Sequence, residues 1–475
     1  MIYKSALLAI PRIRGLMIGV AVALAGAANA GGAGLPLTHF TPAERTEIST
    51  ALGDDGARSQ DSDAVLMAVL IAHGRRELGL RLDPSKVDYM WAIEPEPHDL
   101  AGEISRARAN GQIAAWIAGL PSPHAEYRQL LAARQAYTKT TVSGWAPLPK
   151  GITPKIGDSG PLVLALRARL AAEGYVVLAP VSVPAPPQAP VGAPAIAPVA
   201  TAPETTFDAP LAAALVAFQT RHGLTADGAL GAATRAALDI SAGTRLAQID
   251  ANLERLRWMP RVLPDNRLEV DIGQAQTTLF VADAPALTMR AVVGKPATKT
   301  PIFASDVDSI VFNPPWLIPD SIVSKEIMPK AAKDPVYLAT HHYIYVDGRL
   351  RQSPGDDAAL GFLKFDLLSP FGVYLHDTPE KTAFTRDERH LSHGCMRLEN
   401  PRALATVLLG WTREQVDAKI DARATARVRM AKPMPLWVIY RTAFVGPDGQ
   451  LQFRPDVYGW DAKLMTALAK VSGLR

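Results

Sequence analysis

Pro260 marks a change of hydrophobic period that no single layer of structure can absorb. Before it, in "GTRLAQIDANLERLRWMP", Leu246, Ile249, Leu253 and Leu256 recur every three or four residues, the spacing of one helix face. Proline ends that helix, because it lacks an N–H and its ring clashes with the preceding turn. After it, Leu268, Val270 and Ile272 alternate with Glu269 and Asp271, which predicts a half-buried strand. Thr278 to Val281 is its expected hairpin partner, and Met289 to Val293 continues the sheet. Near the end of the chain, "PLWVIYRTAFV" and "LQFRPDVYG" flank Gly446-Pro447-Asp448-Gly449, a second predicted hairpin. Thr412-Arg413-Glu414-Gln415 caps a helix between these strands. The expected class is a multidomain α+β protein, helical first and β-rich second.

The helical part divides further. Thr41-Pro42-Ala43-Glu44 is a capping box with proline at the first helical position. Val65, Leu66, Val69 and Leu70, then Ile113, Trp116 and Ile117, keep helical spacing. Residues 31–150 therefore read as a helical scaffold without chemistry of its own. In "KIGDSGPLVLALRARLAAEGY", Leu162, Leu166 and Leu170 form one face. A run of Ala, Pro and Val over 176–206 follows, almost uncharged, an extended and semi-rigid insert. Helical spacing then returns through Leu211, Leu215 and Phe218. Gly223 is a plausible stop and Asp227-Gly228 a turn. Residues 241–265 are read as a linking helix, and residues 266–475 as the β-rich domain.

The first 30 residues have the order of a secretory leader. Lys4, Arg12 and Arg14 precede the apolar run Gly15 to Ala27, and Ala28-Asn29-Ala30 is a cleavage site. The expected location is the periplasm. An uncleaved leader would instead tie the chain to the inner membrane, although the run is short of the roughly 20 residues a span needs. The formal net charge of +4 suits an anionic polymer, but no Lys/Arg stripe forms a nucleic-acid footprint. Exported chains usually pair their cysteines. This one has a single cysteine among 475 residues, so it is inert, an intermolecular link, or a working thiol.

That cysteine stands in "HLSHGCMRLENP". A thiol becomes a nucleophile when an imidazole can take its proton and nearby cations or N–H groups favour the thiolate. Gly394 leaves Cys395 unshielded and frees the backbone to turn consecutive N–H groups toward an oxyanion. Arg397 can brace the loop or a substrate carboxylate. His393, two residues away, and His376, at the end of the strand-like "GVYLH", are both candidate bases. A hairpin-like return would bring His376 to the thiol, and spacing alone does not choose between the two.

These residues resemble the signature of the YkuD-type L,D-transpeptidase catalytic domain, with His376 followed by Ser392-His393-Gly394-Cys395-Met396-Arg397. "VVGKPATKTP", "VFNPPW" and "VYLHDTP" support the resemblance. "NLERLRWMP", "FRPDVYG" and the domain order are similar to the YcbB-like branch. The segment 151–240 resembles the three-helix peptidoglycan-binding domain through Gly157-Asp158, Gly160, Val163, Leu166, Leu170 and Gly174-Tyr175. After the insert, Phe218-Gln219, Gly223-Leu224, Asp227-Gly228, Gly231 and Thr234 continue the match. The resemblance implies a β-rich catalytic domain with Cys395 as nucleophile and His376 as base. The N–H groups around His393, Gly394 and Cys395 would form the oxyanion hole, supported by Ser392 and Arg397. It implies a thioester with a donor stem, resolved by a neighbouring stem amine to give a 3→3 cross-link. Peptidoglycan stems would be donor and acceptor, wall synthases are candidate partners, and no cofactor or metal is called for. Asp377 stands where many members have glycine, which leaves open how the imidazole tautomer is fixed.

Asn313, Trp316, Tyr374 and Arg386 are candidate substrate contacts; core packing for Trp316 and Tyr374, and plain surface charge for Arg386, are the competing readings. Residues 320–360 interrupt the strands with a helical "SIVSKEIMPKAAKD" and an exposed "QSPGDD", a candidate lid. His390 reads as a solvated loop residue. A zinc site from His376, His390, His393 and Cys395 lacks a second metal-type spacing. The same thiol would serve a carboxypeptidase, an endopeptidase or a protein-to-wall attachment or release enzyme. A non-catalytic wall-binding protein is the reading from another class.

Overall fold

A computed structural model describes residues 39–53, 58–175 and 206–471. The expected leader and nearly all of the Ala/Pro insert lie outside them. The described residues group into two compact units, 39–81 with 95–122, and 82–94 with 123–471. The span 31–150 is therefore not one body. Residues 82–94, and everything after Ser122, belong with the later part of the chain.

In the first unit the helices Pro42–Leu52, Asp63–Glu77, Leu100–Ala109 and Ile113–Gly119 bury Ile48, Leu66, Leu70, Ile104 and Ile113 in one core. The capping box forms as read. Thr41 Oγ1 accepts from the Glu44 N–H at 3.2 Å, and Glu44 accepts from the Thr41 N–H at 2.7 Å. Two of the helix's orphan donors are thereby satisfied.

Within the second unit, three helices, Pro161–Ala172, Ala209–Arg221 and Ala232–Leu238, pack around Leu166, Leu170, Leu211, Leu215 and Phe218. Buried Gln219 explains why its motif needs Asp227-Gly228 and Thr234. Its amide donates to Asp227, the Ala229 carbonyl and Thr234, and accepts from the Gly228 N–H. The residue that follows the insert is tied to the loop before the first helix: the Phe207 N–H donates to the Asp158 carbonyl at 2.8 Å and the Gly157 N–H to the Phe207 carbonyl at 2.9 Å. The helix Ala242–Trp258 is buried on its polar side as well as its apolar one. Arg255 meets Asp461 at 2.6 Å, and Asn252 donates to Thr442 Oγ1 at 2.7 Å. It is a central beam more than a connector.

In chain order the strands are β1 (Trp91–Ala92), β2 (Arg267–Asp271), β3 (Gln276–Val281), β4 (Ala284–Gly294) and β5 (Ile302–Phe312). Next come β6 (Trp316–Leu317), β7 (Tyr343–Val346) and β8 (Arg349–Gln352), which make a separate small sheet. The main sheet resumes with β9 (Leu363–Leu367), β10 (Leu375–His376), β11 (His390–Ser392), β12 (Met396–Leu398) and β13 (Ala426–Ile439), and β14 (Ala443–Val445) pairs with β15 (Leu451–Phe453). Pairing runs β5-β13-β2-β3-β4-β12-β10-β9 and returns from β9 to β5. Closure removes the exposed edges.

Two sequence expectations change here. β2 is buried at every position, not at alternate ones. Its charges are tolerated because each carboxylate meets a guanidinium: Glu269 is 2.8 Å from Arg267 and 3.0 Å from Arg441, and Arg441 also holds Glu126 at 2.6 Å. The stretch "PLWVIYRTAFV" is not one hairpin arm. Leu436 to Ile439 pair with β2 inside the barrel, and only Ala443–Val445 forms the hairpin.

The interruption of the strands starts at β6, earlier than residue 320. It combines the small sheet with helical turns, including a π-helical turn at Val323–Ile327, around its own core of Ile318, Ile327 and Leu350.

Candidate active site

β10 and β12 lie side by side and parallel, with Leu375 opposite Met396 and His376 opposite Arg397. The expected hairpin-like return is thus a parallel crossover. The intervening chain makes the 3₁₀ turn Lys381–Thr385 and β11 before re-entering the sheet. One step back in register, the Met396 N–H donates to the Tyr374 carbonyl at 3.0 Å. Side chains alternate across a sheet, so Tyr374, His376, Cys395 and Arg397 share one face. His376 is diagonal to Cys395, a relation in which Cα atoms stand roughly 7–8 Å apart.

Buried His376 places Nδ1 2.5 Å from the Asp377 carbonyl. A carbonyl only accepts, so Nδ1 carries the proton and Nε2 keeps its lone pair. This settles the tautomer that Asp377, in place of glycine, left open: the backbone of residue 377 fixes it. The Asp377 side chain works elsewhere, accepting from the N–H groups of Thr378 and Phe362 and from Lys381. It packs where a Cβ on Gly361 would stand, 2.6 Å from its own Cβ. Burial, then the nearby Arg397 charge, pushes the His376 pKa down to about 3.

Cys395 is half-buried. Burial raises its thiol pKa, while the N–H and hydroxyl of Tyr374 and the charges of Lys364 and Arg397 pull it down. The resting pair is therefore a thiol beside a neutral imidazole, not a preformed ion pair. The Tyr374 hydroxyl lies near both the sulfur and Trp316, and Lys364 lies 4.4 Å from its ring centre. These contacts bring Trp316 and Tyr374 together beside the thiol.

The loop is braced from inside. Gly394 has φ 112°, a conformation that favours glycine. Its N–H donates to Ser392 Oγ at 3.1 Å, and that hydroxyl donates to the Cys395 carbonyl at 2.6 Å. The Gly394 N–H, expected in the oxyanion hole, is thus already engaged. The Cys395 N–H has no protein acceptor among the described residues. "GKPATKTP" supplies the buttress: Thr298 donates to the Ser392 carbonyl at 2.9 Å and Thr300 to the Gly394 carbonyl at 2.8 Å. Gly294 is required there, since a Cβ would stand 2.2 Å from the Thr298 oxygen. Nothing in the sequence of this stretch marks those hydroxyls for the task.

The remaining candidates scatter. His393 is exposed and meets Glu326 of the π-helical turn at 2.6 Å. Arg397 bonds Glu380 at 2.7 Å. His390 is buried, not solvated: Nε2 donates to the Ile272 carbonyl at 2.9 Å and Nδ1 lies 2.6 Å from Glu388. The three histidines thus serve three different partners. Asn313 is buried at φ 46° and donates to the Ile420 and Ala424 carbonyls, so it joins backbone segments and does not face a substrate. Arg386 is an exposed surface residue.

A thiol and a tautomerically fixed imidazole on one face of a closed barrel make a site suited to acyl transfer. Residues 265–417 match the L,D-transpeptidase catalytic domain, YkuD. Residues 159–238 match the "Putative peptidoglycan binding domain", and residues 20–133 match the "Scaffold domain". A Haemophilus influenzae protein named "Putative L,D-transpeptidase" is 31% identical over 242 residues, 46% of this chain and 48% of its own length. The chain thus spans about half the length of that relative. Among solved structures, an L,D-transpeptidase from Mycobacterium smegmatis is 18% identical, with 37% of this chain and 58% of that one covered and a TM-score of 0.22. L,D-transpeptidase 3 from Mycobacterium tuberculosis, also 18% identical, covers 37% of this chain and 61% of its own, with a TM-score of 0.21.

Proposed function

We propose that this protein is a periplasmic L,D-transpeptidase that joins peptidoglycan stems through a Cys395 thioester. Cys395 Sγ attacks the carbonyl between the third stem residue and D-Ala while His376 Nε2 takes the thiol proton. The C–N bond breaks, the imidazolium gives that proton to the departing D-Ala amine, and a thioester remains. A side-chain amine of a second stem then attacks the thioester. His376 accepts its proton and returns it to sulfur as the C–S bond breaks, leaving a 3→3 amide.

The observation that carries this reading is the Asp377 carbonyl on His376 Nδ1, which leaves the other nitrogen basic on the face shared with Cys395. A neutral pair suits the step, because the proton moves as the new bond forms and no buried ion pair has to persist at rest. The peptidoglycan-binding match supports the wall as substrate.

Mass spectrometry of purified tetrapeptide muropeptides incubated with the protein tests it. Dimers with 3→3 links from wild type, and none from Cys395→Ala, are expected. Tripeptides alone would replace the reading with a hydrolase. No product from either would leave a wall-binding protein.

A further inference from the structure

β10 pairs with β12 on one side and with β9 on the other, so His376 has two cross-strand partners, Arg397 and Lys364. Directly opposed residues share a face of the sheet, and here it is the face that carries Cys395. The acyl-transfer steps give Lys364 no task, yet three observations set it beside the reacting groups. Its ammonium lies 4.4 Å from the ring centre of Tyr374, whose hydroxyl lies near the sulfur. Its charge acts on both Cys395 and His376, favouring the thiolate and the neutral imidazole. Its side chain is 24% exposed, so it is not sealed from a ligand.

The charges around Lys364 do not balance. Arg397 has a carboxylate to itself, Glu380 at 2.7 Å. Lys364 meets Asp366 at 2.7 Å, but Asp366 also holds Arg427 at 2.5 Å. Two cations share one carboxylate, which leaves one positive charge in surplus beside the thiol. An ammonium has three donors. Asp366 takes one, and among the described residues no second acceptor pairs with this lysine. Lys364 therefore has the charge and the donors to hold one more anion.

The donor stem supplies that anion. Sulfur, imidazole and ammonium come from three successive strands, β12, β10 and β9. In acylation the scissile carbonyl sits at Cys395, and the departing amine must reach His376 Nε2 to take its proton. The step from sulfur to imidazole runs from β12 to β10, and the next strand in that direction is β9. The D-Ala that leaves carries a free carboxylate one carbon from its amine. Arg397 lies behind, on the sulfur's own strand. We infer that Lys364 binds the terminal carboxylate of the donor stem, and that it is the residue through which the site selects a free carboxylate on the fourth stem position. This rests on the transpeptidase reading above.

The test compares release of the fourth residue from two purified disaccharide-tetrapeptides, one ending in D-Ala and one in its C-terminal amide. Both meet the same thiol and imidazole, so the ratio of their kcat/KM values cancels any change in either group. Wild type should favour the free acid about tenfold, the low end of the range for one hydrogen bond to a charged group. Lys364→Gln should bring the ratio to within about a factor of two of unity. Lys364→Arg, which keeps the charge, should keep most of the preference. Asp366→Asn, which removes the competing carboxylate, should raise the ratio, and it decides the matter if Lys364→Gln does not fold. A tenfold preference retained in Lys364→Gln overturns the assignment. So does a wild type without preference, or a ratio that does not rise in Asp366→Asn. Release of neither D-Ala nor its amide by wild type overturns the reaction itself.

Discussion

His376 and His222 are both buried, and both are held neutral by burial. His222 lies in the three-helix domain with Nδ1 2.8 Å from the Phe218 carbonyl. Its ring stacks on Phe218 at 3.8 Å and faces Phe453 at 5.5 Å. Burial and the Arg245 charge take its pKa well below the ordinary value of 6.5. Its Nε2 is buried without a hydrogen-bond partner. His376 makes the same kind of Nδ1 bond, but its Nε2 opens onto the face that carries Cys395. Depressed basicity therefore does not mark a catalytic histidine. The surroundings of the second nitrogen do, and at His222 they are apolar packing.

The sharpest way to break this contrast is substitution. His376→Gln should lower D-Ala release about 10²–10⁴-fold, the range for losing a general base, with the fold retained. His222→Ala should leave turnover of the folded protein within about a factor of two, yet destabilise it by about 1–3 kcal/mol through lost packing. Steady-state kinetics beside thermal unfolding measures both. If His222→Ala slowed turnover as much as His376→Gln, the distinction drawn from the second nitrogen would fail.

A smaller effect appears in acid. Each histidine has a folded pKa below its unfolded one, so between the two values the unfolded state binds the extra proton. Stability then falls as pH drops below about 6.5, and for His376 the fall continues toward about 3. The slope is at most about 1.4 kcal/mol per pH unit for each histidine. Denaturant titrations at pH 7 and pH 5 should show a shallower loss in His222→Ala than in wild type. Equal losses would mean that His222 is already protonated, or solvated, when folded.

How far the sequence leads is uneven for physical reasons. The helices around Leu166, Leu211 and Phe218 were legible because their periodicity is local. The Cys395 loop was legible because its residues are contiguous. The parallel pairing of β10 with β12 was not, since nothing in "GVYLH" states which strand lies beside it. β2 read as half-buried because its charges are local while their partner, Arg441, is far along the chain. His390 read as solvated for the same reason: its acceptor, the Ile272 carbonyl, is backbone and carries no sequence mark. The segment 82–94 looked like part of a helical scaffold, yet Trp91 belongs to the barrel's aromatic core.

The weakest expected effect concerns the other histidine near the thiol. His393 meets Glu326 on the interrupting segment at 2.6 Å, with the two side chains 33% and 41% exposed. A pair so accessible to water and salt contributes about half a kcal/mol or less, so Glu326→Gln should leave the melting temperature nearly unchanged. If the contact only helps to seat this segment over the loop, turnover should change about two- to threefold, and added salt should bring wild type toward the variant. A loss as large as that of His376→Gln would place His393 in the proton path. The base would then be the exposed imidazole, whose partner is a carboxylate, in place of the buried one held by a carbonyl.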